Sequence, residues 1–316
     1  MGLAELVETA RHKSNFPDLA AYIEFCRRYL EFAENGLQAE IVSQNENQYR
    51  FFQYREEGHY NITRPLNAQL LYRMAEADVL RDDFLNVLHS ARDIAMDNQA
   101  QRMLMTRSIY TLQQCIGATL DALPASASNT ARKVNGDLFE RLIQLLIREA
   151  GVSCSTATVQ VPVYMENELQ FRMSFQHDLL LYNANELKVI GSVKTSSKDR
   201  IDKIFLDKFL YCKLTETALP HIAIFLNDVQ RKPGKSDNEY AVNTTFLSGH
   251  FKGFTVKLNP LDGVYYCDIR PNMRIDRLLK QHIFTIDRFF CSDLWKFLEQ
   301  EGTPLSQVAV VQEEQP

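Results

Sequence analysis

The chain has 316 residues, 45% of them hydrophobic and 24% charged, a balance that supports a buried core and excludes wholesale disorder. A formal net charge of −5 argues against a protein that coats nucleic acid through bulk charge, but leaves room for a local basic surface. No apolar run is long enough to span a bilayer and the N-terminus carries no apolar signal core, so the sequence predicts a cytoplasmic protein with no membrane partner.

Residues 1–122 read as helical with one interruption. Leu19, Tyr22, Ile23, Cys26, Tyr29 and Leu30 recur at helical spacing, and Gly36 is placed to end that helix. Residues 45–62 break the pattern and predict a short strand or an aromatic loop. Helical patterning resumes over 68–80, 82–98 and 102–123. The small, polar, proline-bearing stretch 123–133 is the best boundary or hinge in the chain. Residues 136–151 then form a strong amphipathic helix closed by Gly151. Strand-like runs follow at 157–165, 169–183, 186–196, 221–228 and 254–259, with a helix over 199–216. Residues 273–282 and 291–300 read as helices, and the tail as frayed. The fold class this predicts is α/β, a mixed sheet flanked by helices with an N-terminal helical region. The expected organisation is a helical region over 1–125 for dimerisation or flanking DNA contacts, a catalytic domain over 131–300 and a flexible tail over 301–316. The six cysteines (Cys26, Cys115, Cys154, Cys212, Cys267 and Cys291) show no CxxC and no zinc spacing, and are expected to be free thiols.

Two residues stand out chemically. Asp178 sits between an alternating stretch and the apolar run Leu179–Leu181, where a charge must be solvated, paired or metal-bound. Lys194 closes the next strand. If the two strands are neighbours, carboxylate and amine meet at one end of a sheet. That arrangement suits metal-dependent phosphodiester cleavage: hard oxygens hold Mg²⁺, and the lysine orients or deprotonates water or stabilises the phosphorane. Residues 194–208 carry five Lys/Arg against three Asp inside an acidic chain.

Asp178 followed by Ser192-Val193-Lys194 resembles the PD-(D/E)XK nuclease superfamily, in the variant where serine stands two before the lysine. That variant looks like the type II restriction endonucleases cutting CCGG and CCNGG sites. The resemblance implies a missing carboxylate supplied thirteen residues after the lysine, here Asp207, and a glutamate on an upstream helix, here Glu140. The metal set it implies is Asp178, Asp207, Glu140 and Val193, around Mg²⁺, with Ser192 counted among the catalytic positions. It further implies a charged motif reading G:C pairs, here Lys198-Asp199-Arg200, with Lys203 beside it. The resemblance covers about residues 135–230. Two features depart from it: His177 stands where the family has proline, and the relocated acid is aspartate where glutamate is commoner.

Each element also has a structural reading. Asp178 can cap a turn at a strand edge. Glu140 can be the third residue of a capping box begun by Asp137. Arg200, Lys203, Asp207 and Tyr211 share one helical face, with Ile201, Ile204, Phe205 and Lys208 on another, and Ser196 and Ser197 are natural N-caps. The basic stretch 229–240 reads as a solvated hairpin loop, and Arg274, Arg277 and Lys280 as one solvated helical face. His177 and His282 have no partner at metal-binding spacing. The leading expectation is a Mg²⁺-dependent type II restriction endonuclease acting on double-stranded DNA as a homodimer, with a cognate methyltransferase expected genetically. The alternatives are a repair or structure-specific nuclease of the same superfamily, and an inactive DNA-binding protein on the same fold.

Overall fold

Where the N-terminal periodicity is sustained it becomes helix. In the computed structural model, which describes residues 2–56, 59–198, 200–236, 238–305 and 308–312, α1 spans Leu3–Arg11 and α2 spans Leu19–Asn35. Asp18 caps α2, accepting from the Ala21 N–H at 2.9 Å and satisfying one of the first turn's free donors. The interruption is a small antiparallel sheet of β1 (Ala39–Val42), β2 (Tyr49–Glu56), β3 (His59–Ile62) and the two-residue β4 (Leu66–Asn67), each paired to β2. The helices expected over 68–80 and 82–98 are instead short pieces, α3 (Asp78–Asp82) and α4 (Phe84–His89), with 3₁₀ turns at Met74–Glu76 and Ala91–Asp93. Tertiary partners take the backbone donors that a longer helix would need: the Tyr72 N–H goes to Thr111 Oγ1 at 3.1 Å and the Arg73 N–H to the Glu76 carboxylate at 3.1 Å.

Two long helices follow, α5 (Gln99–Leu120) and α6 (Ser128–Glu149). The stretch expected as a hinge is mostly a 3₁₀ turn and the start of α6, whose first residues are Ser128–Lys133. Asp137 and Glu140 therefore lie inside a helix, and the capping-box reading of Glu140 falls. Gly151 does close α6: its φ of 85° is left-handed, and the Val152 N–H reaches back to the Ile147 carbonyl at 3.1 Å. One apolar cluster runs from Tyr22 and Ile109 through Leu138 and Phe139 to Leu179, Val193 and Ile224. Each such side chain contributes about 1.5–3 kcal/mol on burial.

The rest of the chain adds β5 (Ser153–Met165), β6 (Glu168–Asn183), β7 (Glu186–Ser196), α7 (Ile201–Thr215) and β8 (His221–Asn227). The hairpin of β9 (Val229–Pro233) and β10 (Tyr240–Thr244) precedes α8 (Ser248–Lys257) and β11 (Gly263–Tyr266). Then come α9 (Pro271–Ile275), α10 (Leu279–His282), β12 (Ile283–Thr285), α11 (Ile286–Arg288), α12 (Leu294–Glu299), β13 (Thr303–Pro304) and β14 (Ala309–Gln312). The large sheet has the order β12-β11-β8-β7-β6-β5-β14, with β13 also on β7. It is parallel from β12 to β7 and antiparallel from β7 to β14. Strand β8 is buried throughout because Ile222, Ile224 and Leu226 face the α6 side while Ala223 and Phe225 face α7 and α8.

Three further expectations are corrected. Residues 254–257 are the end of α8, not a strand; Phe251, Phe254, Thr255 and Leu258 show the helical period once the window is widened. Residues 273–282 form two short helices broken at Asp276, so Arg274, Arg277 and Lys280 do not share one helical face. The tail is not frayed throughout, since β13 and β14 pair with β7 and β5. Among the described residues no helix is long and apolar enough to cross a membrane. All six cysteines are free thiols, five of them buried.

Candidate active site

The site arises where two strands part. β6 pairs with β7 only over Leu179–Asn183. Beyond that point β7 continues beside β8 to Ser196, while the first half of β6 stays with β5. At the fork β6 is bulged: Leu180 pairs with Ser155 and His177 with Ala157, so Asp178 and Leu179 together oppose Thr156. A bulge of this kind bends a strand and re-aims a side chain. The carbonyl of Asp178 that leaves the ladder is taken by Gln144 Nε2 at 3.0 Å and Thr156 Oγ1 at 3.1 Å, and these two side chains bond each other at 2.6 Å.

The Asp178 side chain then does what a backbone carbonyl would have done. Its Oδ2 accepts from the Val193 N–H at 2.9 Å and bridges the fork. The Lys194 ammonium lies 2.6 Å from the same oxygen and 2.8 Å from Glu140 Oε1, which α6 presents from the covering layer. All three side chains are partly open to solvent. The two carboxylates thus meet on one amine. Burial first, then the Asp178 charge, push the Glu140 carboxyl up to about 7. Burial works against the Lys194 ammonium, but Asp178 and Glu140 outweigh it and raise its pKa above the ordinary lysine value.

Of the residues singled out from sequence, Glu140, Asp178, Lys194 and the Val193 amide are therefore brought together. The Val193 side chain is in the core, so only its backbone faces the site. Ser192 is half-buried on β7. Asp207 is elsewhere engaged: its Oδ2 takes the exposed Lys203 ammonium at 2.6 Å within α7. Among the described residues no three His, Cys, Asp or Glu side chains gather as a metal set. Asp178 and Glu140 offer converging hard oxygens, a donor set that fits Mg²⁺, which keeps several waters and takes phosphate oxygens for the rest.

Lys198 and Arg200 are exposed on the turn between β7 and α7, with the Lys198 Nζ 3.4 Å from Gln230 Oε1; Asp199 lies outside the described residues. Ser196 does not cap α7. Its hydroxyl accepts from the Lys198 N–H at 3.2 Å, holding the turn instead, and Arg200 stands at the N-cap of α7 without a side-chain cap. The two-sided pattern of α7 holds in part: Ile201, Ile204, Phe205 and Lys208 are buried, but so is Tyr211. His177 is a core residue, stacked on Phe175 and pushed down to about 3 by burial and then by His221. Gln144 and Thr156 were not foreseen. The one available signal was spacing, because Gln144 stands four residues after Glu140 on the same face of α6.

No protein-family model matches the chain, and no curated protein does. Among solved structures the chain is similar to that of the Type IIP restriction endonuclease Kpn2I, with 17% identity over 95% of this chain and 99% of that one and a TM-score of 0.65. A restriction endonuclease PspGI–substrate DNA complex also matches, with 12% identity over 72% of this chain and 91% of that one and a TM-score of 0.46. The fold is that of the PD-(D/E)XK restriction endonucleases, a mixed central sheet flanked by helices.

Proposed function

We propose that this protein is a Mg²⁺-dependent type II restriction endonuclease, cleaving double-stranded DNA at a specific G:C-containing site as a homodimer. The observation that carries this reading is the convergence of Asp178, Glu140 and Lys194 at the strand fork. The fold shared with Kpn2I supports it.

Asp178 and Glu140 would hold the ion, which when bound supplies charge neutralisation and an acidified water. The chain's residues set the stage. The bulge, locked by Gln144 and Thr156, fixes the Asp178 carboxylate against the Val193 amide, so one ligand is preorganised. Lys194 holds the place of a cation between two acids until one arrives. With its pKa raised it stays protonated, and its role is to stabilise charge growing on the scissile phosphate rather than to take a proton. Glu140 can give up its proton near neutral pH when a cation binds.

Lys198, Asp199 and Arg200 would read base edges, because Arg and Lys donate to guanine O6 and N7 while Asp accepts from cytosine N4. Lys203 would join them, since its exposed pairing with Asp207 holds it only weakly. Asp207 would act as the relocated metal ligand once released from Lys203. A two-fold homodimer cuts both strands of a symmetric site. Such an activity requires a cognate methyltransferase in the same genome.

The deciding experiment is a divalent-metal titration with plasmid DNA followed by sequencing of the product ends. Discrete fragments sharing one end motif are expected. A smear or structure-dependent nicks would assign a repair-type nuclease instead, and intact plasmid at every metal concentration would leave only a binding protein.

A further inference from the structure

The same edge of the large sheet carries a second feature. An open cleft of about 960 Å³ lies at the carboxyl ends of β11 and β12, where the small N-terminal sheet and α5 meet the large one. Its lining includes the cations Arg102, Arg270, Arg274, Lys280 and Arg288, against only Asp268 and Asp287 as acids. Three of these cations are paired with acids, so the positive character of the cleft rests on Arg274 and Lys280. Arg102 and Arg288 are paired, with Asp287 and Asp293. Arg270 reaches Glu46 through Nη2, but its Nε and Nη1 are buried without any hydrogen-bond partner. Arg274 and Lys280 are exposed and form no ion pair among the described residues. Arg270 is thus held inside the wall of the cleft, and Arg274 and Lys280 are the cations left free to meet an anion there.

Register places this cleft relative to the active site. Lys194 is level with Phe225, Phe225 with Tyr266, and Tyr266 with Thr285, which lines the cleft. Three strand spacings separate Lys194 from Thr285, about 14 Å. Measured along a duplex axis that lies across these strands, at about 3.4 Å of rise per nucleotide, that is about four nucleotides.

We propose that the cleft is a second DNA-contacting surface, holding the phosphate backbone of the duplex about four nucleotides from the phosphate at Lys194. The proposal rests on the nuclease reading for the identity of the ligand. Arg274 and Lys280 are its contacts. These contacts carry no base information; they anchor the duplex against the sheet edge while the turn before α7 reads sequence.

The test uses the full chain and its Arg274→Gln/Lys280→Gln double variant, chosen because both side chains are exposed and unpaired, so that folding is not at stake. Binding of a mixed-sequence duplex is measured in Ca²⁺ at several salt concentrations. The slope of log K against log[salt] should become shallower by about 1.8, two phosphate contacts at about 0.9 each. The loss of affinity should be the same for every sequence tried. A second arm trims the duplex flanks stepwise: the wild type should lose affinity when phosphates about four nucleotides out are removed, and the variant should not. An unchanged salt slope overturns the proposal, as does a trimming profile identical for the two proteins. A wild-type protein that binds DNA yet never cuts it would refute the nuclease reading while leaving this measurement intact.

Discussion

Strands β7 and β11 end on the same edge of one sheet, and an acid with a raised pKa stands at each of those ends. At the end of β11, Asp268 is enclosed and accepts from the Tyr49 hydroxyl at 2.8 Å and Asn67 Nδ2 at 2.9 Å. Both partners are neutral donors, and both come from the small N-terminal sheet. At the end of β7, Glu140 shares a lysine with a second carboxylate and stays open to solvent. Burial is the largest cause raising the pKa of either acid, Asp268 to about 6 and Glu140 to about 7. A raised carboxyl therefore does not mark chemistry by itself. What separates the two is the partner: a neutral hydrogen bond joins two layers, whereas an exchangeable ammonium beside paired acids leaves room for another cation and a phosphate.

The contrast is broken most severely at Lys194. Lys194→Ala should reduce Mg²⁺-supported cleavage by about 10³-fold or more while leaving DNA binding in Ca²⁺ largely intact, because affinity is spread over many contacts. Near-normal turnover in a plasmid assay would remove Lys194 from the chemistry and the β7 end from its special status. Next in size is Asp207. Asp207→Ala should cost about 100-fold at low Mg²⁺, whereas Ser192→Ala should be mild, since serine brings no charge to the ion. The structure makes this a demanding test, because Asp207 is paired with Lys203 and must turn to reach the ion. If the two effects are reversed, Asp178 and Glu140 hold the metal without it.

The β7 end was the more legible of the two. Asp178 and Lys194 could be named from residue type and order, because a charge between apolar strands has few explanations, whereas Glu140 followed only from the family resemblance. The fork and bulge that bring them together could not. They depend on which residues of β5 and β7 sit opposite Asp178, a matter of register that sequence alone does not carry. The β11 end was hidden for a related reason. Asp268 meets Tyr49 and Asn67 from 219 and 201 residues away, and neither contact has a local pattern. Arg274 and Lys280 read as one solvated helix face, yet Asp276 breaks that helix and both line the cleft. The strand misassigned at 254–259 shows the opposite failure: a six-residue window was too short to show the helical period around it.

The sequence reading proposed for the turn before α7 sharpens the comparison on a smaller scale. Losing a base contact with Arg200→Ala should cost about 1–3 kcal/mol on the cognate duplex and narrow the preference over a scrambled one. The Arg274→Gln/Lys280→Gln variant should instead weaken both duplexes alike. Equal losses for Arg200→Ala on cognate and scrambled DNA would place Arg200 on the backbone and leave the sequence reader to be found.

The smallest expected effect concerns Asp268 and tests whether its charge serves construction alone. Its folded pKa of about 6 lies above the ordinary 3.8, so between these values the folded state holds a proton that the unfolded state has released. The folded state binds more protons there, and stability must fall as pH rises from about 4 to about 6, then level off. Two pH units correspond to no more than about 3 kcal/mol. Asp268 is itself buried, but it stands in the wall of an open cleft, and the higher effective dielectric there reduces the effect to the order of 1 kcal/mol. Asp268→Asn keeps the shape and an acceptor for Asn67 while removing the titration. Relative to the wild type, its urea midpoint should therefore rise between about pH 4 and about pH 7, by the equivalent of about 1 kcal/mol. It should also keep DNA cleavage, whereas the corresponding Asp178→Asn change at the β7 end should abolish it. A variant whose relative stability falls over that range, or which loses cleavage, would show that the Asp268 charge is needed and that the two ends of the sheet are more alike than their partners indicate.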